Sequence, residues 1–206
     1  KGANQAVSAS KLGGDTTMLG IVGSDGFGKE LIKFLDEQGV SNQIKINQDA
    51  PTGTALITVS TTSSNNTIVV IPGANFLLNE KDVEEVQISK GDILVSQFEI
   101  PENSIIAFFK KGKKTGTTNI LNPAPAKQIT SDLLELVDIL ILNETELEVI
   151  SENKVDIDDE TSIFNAVQKF KSVNQCVIVT LGEKGALGYI NDKIVKIEGR
   201  KVKSVD

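Results

Sequence analysis

Short apolar runs recur along this chain, separated by segments whose apolar residues fall at helical spacing. Ile139-Leu140-Ile141-Leu142 and Cys176-Val177-Ile178-Val179 are the clearest of them. A strand reads this way when it lies in a parallel sheet and is covered on both faces. Parallel neighbours need long crossovers, normally helices. The strand candidates are 17–22, 92–96, 118–121, 138–142 and 176–180. Helix candidates are 3–12, the segment carrying Phe27, Leu31, Phe34 and Leu35 up to a C′ stop at Gly39, then 79–86, 104–111, 131–137, 144–150 and 160–172. This alternation predicts an α/β fold with a mostly parallel sheet.

Two stretches break the rhythm. Residues 54–60 and 67–71 are β-branched and separated by Ser and Asn, so they read as a small hairpin. Residues 186–190 and 193–197, joined by Asn191-Asp192, read as a second one. No repeat, low-complexity linker or composition shift marks a domain boundary, and 1–206 is read as one domain.

Composition narrows the chemistry. The chain has 206 residues, a formal charge of −7, one cysteine and no histidine, with a pI near 4.8. A general nucleic-acid or anionic-membrane binder is not expected. A Ser-His-Asp triad, a Cys-His dyad or a zinc site has no ligand set here. Cys176 cannot form an internal disulfide and reads as a buried core thiol. With no signal peptide and no apolar run of roughly 18 residues, a soluble cytoplasmic protein is expected.

In open α/β sheets, ligands sit beyond the carboxyl ends of the strands. The residues there are Gly23-Ser24-Asp25, Gln97-Phe98-Glu99, Asn122-Pro123-Ala124-Pro125, Asn143-Glu144-Thr145-Glu146 and Leu181-Gly182-Glu183-Lys184-Gly185. Gly23 to Lys29 approaches a phosphate-binding P-loop, but Glu30 stands where a Mg²⁺-binding Ser or Thr belongs. It reads better as a turn with Asp25 capping the next helix. Asn143 and Glu146 are a capped helix start, or a phosphate donor and a carboxylate for Mg²⁺-bound water. Gly182 and Gly185 make a tight turn, or let backbone approach a base or phosphate. Glu99 is a solvated loop acid or an acceptor for a sugar hydroxyl. Asn122 to Ala126 reads as a rigid extended turn. At the very start, Lys1, Gly2, Ala3 and Asn4 lead into small residues. They suit a helix N-terminus that holds a polar ligand.

Taken in order, these blocks carry a resemblance. Lys-Gly-Ala-Asn-Gln-Ala (1–6), Gly-x-Asp-x-x-Gly (23–28), Pro-Gly-Ala-Asn (72–75), Asn-Pro-Ala-Pro-Ala (122–126), Asn-Glu-Thr-Glu (143–146) and Thr-Leu-Gly-x-x-Gly (180–185) resemble the PfkB family of carbohydrate kinases, its ribokinase branch most closely. The resemblance implies a three-layer, Rossmann-like ribokinase fold with a β lid at about 54–71, incomplete at both termini. It implies ATP-dependent phosphorylation of D-ribose at the 5-hydroxyl; deoxyribose, fructose or nucleoside kinases, or a non-catalytic sugar- or nucleotide-binding fragment, are the alternatives. Lys1, Gly2, Ala3, Asn4 and Glu99 would bind the sugar. Asn143 and Thr180, Leu181, Gly182, Glu183, Lys184 and Gly185 would serve the nucleotide. Glu146 would organise Mg²⁺ through water, and Asp206 would help bind an activating K⁺. Partners would be a small sugar and ATP, with a homodimer when full length. The family's first sugar-binding strand would precede Lys1, and its anion hole and catalytic aspartate would follow Asp206. The 206 residues alone are therefore expected to be inactive.

Overall fold

The computed structural model describes residues 1–59, 66–170, 176–190 and 193–201. The turn of the first expected hairpin, the end of the expected 160–172 helix, Asn191-Asp192 and Asp206 lie outside the described residues. The chain packs as two compact units, Lys1–Val86 with Glu99–Ser104, and Gln87–Phe98 with Ile105–Asp206.

The first unit starts with α1 (Gly2–Lys11), followed by β1 (Thr17–Gly23), α2 (Gly26–Glu37) and β2 (Ser41–Asn47). β1 and β2 pair in parallel from Thr17↔Ser41 to Gly23↔Asn47. The α2 helix ends where Gly39 takes φ +73°, a conformation that suits glycine. Buried Ala6, Leu35 and Val40 form a small core with Ala3, Val7, Met18, Leu31 and Ile44. The small residues of α1 allow this close packing. Ser10 Oγ donates 2.9 Å to Gln38 O, which ties α1 to the end of α2. The sequence pattern does not announce β2. Ser-Asn-Gln-Ile-Lys-Ile-Asn is mostly polar, and Ile46 is exposed. It becomes a strand by pairing with β1.

β3 (Thr54–Val59) and β4 (Asn66–Ile71) form a separate antiparallel two-stranded sheet. A 3₁₀ turn (Gly73–Leu77) and α3 (Glu80–Glu84) follow. The expected 79–86 helix is shorter than its pattern suggests, but Asn79 caps it, accepting from Lys81 N at 3.0 Å. Asp82 accepts from Asn79 N at 2.9 Å. Lys45 of β2 reaches Asp82 Oδ1 at 2.8 Å and Glu85 Oε2 at 2.6 Å. Burial pushes the Asp82 carboxyl up, but the Lys45 and Asn79 donors outweigh it and hold the group below its ordinary value.

The second unit is built on a six-stranded sheet of order β10-β9-β8-β7-β6-β5. Its strands are β5 (Ile93–Gln97), β6 (Thr118–Asn122), β7 (Ile139–Asn143), β8 (Cys176–Thr180), β9 (Gly185–Ile190) and β10 (Lys193–Glu198). β5 to β8 are mutually parallel, and β9 and β10 close the sheet antiparallel. The helices are α4 (Glu102–Thr115, in this unit from Ile105), α5 (Ser131–Leu134), α6 (Glu144–Ser151) and α7 (Glu160–Val167). Leu94, Leu121, Leu140, Leu142, Val177 and Val179 form one wholly buried face. The other face is only partly covered within this unit, with Ile93 and Val95 exposed. Cys176 lies on that half-covered face rather than in the core expected for it, and burial still raises its thiol. Buried Asn119 locks the far end of the sheet. Its Nδ2 donates to Phe109 O at 3.0 Å and Leu136 O at 2.9 Å. Among the described residues no helix is long and apolar enough to cross a membrane.

The Asp82 geometry sets a pH dependence. A carboxyl held below its ordinary value of 3.8 stabilises the fold above that pH, and the contribution is lost as pH falls through its folded value. Lys45 is shifted upward by Asp82 and Glu85, so its share is lost above about 10.5. Lys45→Met is expected to lower Tm at pH 7, with the gap from the parent closing below pH 3.8. Thermal melts across pH measure this; a gap independent of pH contradicts it.

Candidate functional site

Two groups of sequence-predicted residues assemble, one in each unit. In the first, segment Glu99–Ser104 is anchored at both ends. Ile100 packs against the cluster of Ile21, Ala74 and Leu78, and buried Ser104 Oγ donates 2.8 Å to Leu78 O. These contacts deliver Glu99 to the start of α1. Its Oε2 lies 2.6 Å from the backbone nitrogen of Lys1, the residue that caps the helix without a side-chain bond. Gly2 and Ala3 are half-buried, and Asn4 is exposed on the first turn. Lys1, Gly2, Ala3, Asn4 and Glu99 thus form one local constellation at a helix N-terminus. Its donors and acceptors suit a neutral polyol.

The second group lies at the carboxyl edge of the parallel strands. β5, β6, β7 and β8 end at Gln97, Asn122, Asn143 and Thr180. Asn143 is paired in register with Thr180. β6, β7 and β8 alternate buried and half-buried residues, β5 alternates buried and exposed ones, and each finishes on an amide or hydroxyl. Asn143 and Glu146 form a reciprocal capping box at the start of α6. Asn143 Oδ1 accepts from Glu146 N at 2.7 Å, and Glu146 Oε2 accepts from Asn143 N at 3.0 Å. The capping reading is therefore correct, and it does not exclude the ligand reading. The cap occupies Asn143 Oδ1 and leaves the Nδ2 donor. Both bonds that Glu146 accepts fall on Oε2, the second from Asn122 Nδ2 at 3.5 Å, which leaves Oε1.

Asn122, which the sequence places at a strand end but reads only as part of a rigid turn, makes specific contacts at this edge. Pro123 has no N–H to extend the ladder, and the Asn122 amide donates instead to Ile141 O at 3.0 Å. The signal was its place as the last residue of a strand, like Asn143. The turn after it is bound to β5 by Phe98 N donating to Ala124 O at 3.0 Å, and Lys127 lies 4.3 Å from the Phe98 ring centroid.

After β8, Leu181 N donates to Gly185 O at 2.8 Å across a short 3₁₀ turn, Gly182–Lys184. The two glycines differ in purpose. Gly185, at φ +98°, is crowded by the backbone of Ile197 and Gly199, so its missing side chain serves internal packing. Gly182, at φ +55°, has open space where a Cβ would be. Leu181 is buried, Glu183 is exposed and Lys184 pairs with Asp158.

The near-P-loop is a steric crossing. Asp25 caps α2 by accepting from Gly28 N at 2.9 Å. A Cβ on Gly28 would collide with Gly23 O, so the glycine spacing answers to backbone contact.

No group of three potential metal ligands occurs among the described residues. Mg²⁺ retains waters and takes few protein carboxylates, and the Oε1 that Glu146 keeps outside its cap is the kind of oxygen that would meet such a water. The expected K⁺ ligand, Asp206, lies outside the described residues.

Comparison with known proteins converges on one architecture. The chain is 36% identical over 210 residues to the ribokinase of Staphylococcus aureus (strain COL), covering 100% of this chain and 68% of that protein. It is 35% identical over 210 residues to the deoxyribokinase of Salmonella typhi, again covering 100% and 68%. The structure of Arabidopsis thaliana ribokinase complexed with ribose and ATP superposes with a TM-score of 0.84 at 30% identity. That match covers 96% of this chain and 65% of the plant protein. The chain thus spans about two thirds of the length of these relatives. Sheet and helices define an α/β protein of the ribokinase fold. The pfkB family carbohydrate kinase profile matches residues 1–206, and the chain belongs to that family of sugar kinases.

The capping box separates two variants. Asn143→Ala is expected to cost about 1 kcal/mol in urea denaturation, whereas Asn143→Asp keeps the cap and stays within ~0.5 kcal/mol of the parent. Equal losses in both variants would show that the box does not stabilise α6.

Proposed function

We propose that the intact protein transfers the γ-phosphoryl group of ATP to the 5-hydroxyl of D-ribose, giving ribose 5-phosphate. The observation that carries this reading is the Asn143–Glu146 exchange. It satisfies the helix with one end of each side chain and leaves an amide donor and a carboxylate oxygen at the sheet edge. The reading also draws on the family and on the ribose and ATP named for the plant relative.

In this reading Asn143 Nδ2 donates to a phosphate oxygen, and Thr180, Leu181, Gly182, Glu183, Lys184 and Gly185 support the nucleotide. Glu146 Oε1 would accept from a water on Mg²⁺, an ion that would supply charge neutralisation for the phosphates. Lys1, Gly2, Ala3 and Asn4 line the sugar site, and Glu99 accepts a sugar hydroxyl. Asp206 contributes to a K⁺ site. The β3–β4 hairpin acts as a lid and supports a homodimer in a cytoplasmic enzyme. No described carboxylate is assigned as the general base. Transfer of this kind depends mainly on positioning and charge stabilisation, and these residues supply positioning. The deoxyribokinase relative supports a second reading with 2-deoxyribose as acceptor.

A coupled kinase assay of the full-length protein with ribose, 2-deoxyribose, fructose and adenosine tests the substrate. Ribose is expected to give the highest kcat/KM; a preference for adenosine overturns the reading. Asn4→Ala and Glu99→Gln should raise the ribose KM roughly 10–100-fold, the size of one or two lost hydrogen bonds, without changing the ATP KM. Asn143→Asp should weaken ATP binding in calorimetry while the protein stays as stable as the parent.

A further inference from the structure

The β3–β4 hairpin exposes apolar side chains on both faces. Leu56 and Val69 sit on one, Ile57 and Ile68 on the other. Among the described residues the hairpin pairs only with itself. Its attitude is therefore set at its base, where two chain segments cross. Ala74 N donates 2.8 Å to Pro51 O and joins the two legs. Gly73, at φ +50°, lies against Pro51 O, and Gly53 against Pro72 O and Asn75. A Cβ on Gly23 would stand 2.6 Å from both Ala50 O and Thr52 N. Gly23, Gly53 and Gly73 thus let backbone touch backbone at this crossing.

One carboxylate binds the crossing together. Asp25 Oδ1 accepts from Gly28 N at 2.9 Å and from Thr52 Oγ1 at 2.6 Å, and Asp25 Oδ2 accepts from Thr52 N at 2.7 Å. The Thr52 hydroxyl in turn accepts from Gly23 N at 2.9 Å. Thr52 is buried and so is its bond from Gly23 N, while the three bonds that Asp25 accepts are part-buried. The carboxyl is held below its usual range, by the Thr52 hydroxyl first and the Thr52 and Gly28 N–H groups next. Capping α2 needs only one of the two carboxylate oxygens. The other is committed to the first leg of the hairpin.

We infer that Asp25, through Thr52, is the positioning residue that holds the β3–β4 hairpin in the attitude needed to cover the sugar. The covering role rests on the sugar-kinase reading above; the coupling of Asp25 to the hairpin does not. Sugar capture should then depend on a residue that touches no sugar.

Asp25→Asn separates capping from anchoring. Asn is as good a cap as Asp, but its NH₂ group would face Thr52 N–H, donor against donor. In the full-length protein, hydrogen exchange at 54–59 and 66–71 is expected to speed up about tenfold, the effect of one net hydrogen bond, while β1 and β2 stay unchanged. The sugar KM should rise about tenfold with the ATP KM unchanged. Thr52→Val should reproduce both effects, and Thr52→Ser, which keeps the hydroxyl, should restore parental behaviour. Hairpin exchange unchanged in both Asp25→Asn and Thr52→Val overturns the inference. So does Thr52→Ser behaving like Thr52→Val, or a parallel rise in both KM values. If the parent phosphorylates no sugar, the functional reading fails, and the exchange data still decide the Asp25 coupling.

Discussion

Parallel pairing of β5 to β8 is the constraint on which the nucleotide-side arrangement depends. One face of this ladder is buried through Leu94, Leu121, Leu140, Leu142, Val177 and Val179. A slip of one residue would turn that set toward the opposite face. The same register places Asn143 beside Thr180 and brings Asn122 within reach of Ile141 and Glu146. Hydrophobic burial therefore decides where the polar groups stand. Asn143 and Glu146 contribute little to the core, yet their positions follow from residues that never meet a ligand.

The first unit solves a different problem with small residues. Ala3 and Ala6 let α1 pack closely, and glycines at 23, 28, 53 and 73 let chain segments cross in direct contact. A crossing made of backbone leaves polar groups that must be satisfied in place. Asp25 and Thr52 do this with side-chain bonds, and the result couples the start of α2 to the base of an otherwise free-standing hairpin. Glu99 is placed by an equally indirect route, through Ile100 and Ser104 on either side of it.

Much of this was legible in the residues. The β-branched runs expected to pair do so over Thr54–Val59 and Asn66–Ile71, and Asp25, Asn79 and Asn143 cap the helices that follow them. β2 was not legible, because a mostly polar strand gains its hydrogen bonds from a neighbour and leaves little pattern of its own. The part played by Asn122 was hidden for a related reason: its partners Ile141 and Glu146 are 19 and 24 residues away. Capping and ligand binding looked like rival explanations of Asn143 and Glu146 in one dimension. In three dimensions the cap takes one end of each side chain, so the two explanations no longer compete.

The order of apolar runs, caps and glycines determined by itself the α/β class and the strand-to-helix turns; the family entered only through the resemblance of the ordered motif blocks. Class and turns are local properties, written in periodicity and in backbone freedom at single positions. Tertiary packing alone decided that Gly185 is spent on crowding against β10 while Gly182 stays open. It alone decided that the near-P-loop at Gly23 is a crossing held by Asp25, and that Glu99 lies at the start of α1. Each of these depends on distances between residues far apart in the chain, which no run of neighbouring letters encodes.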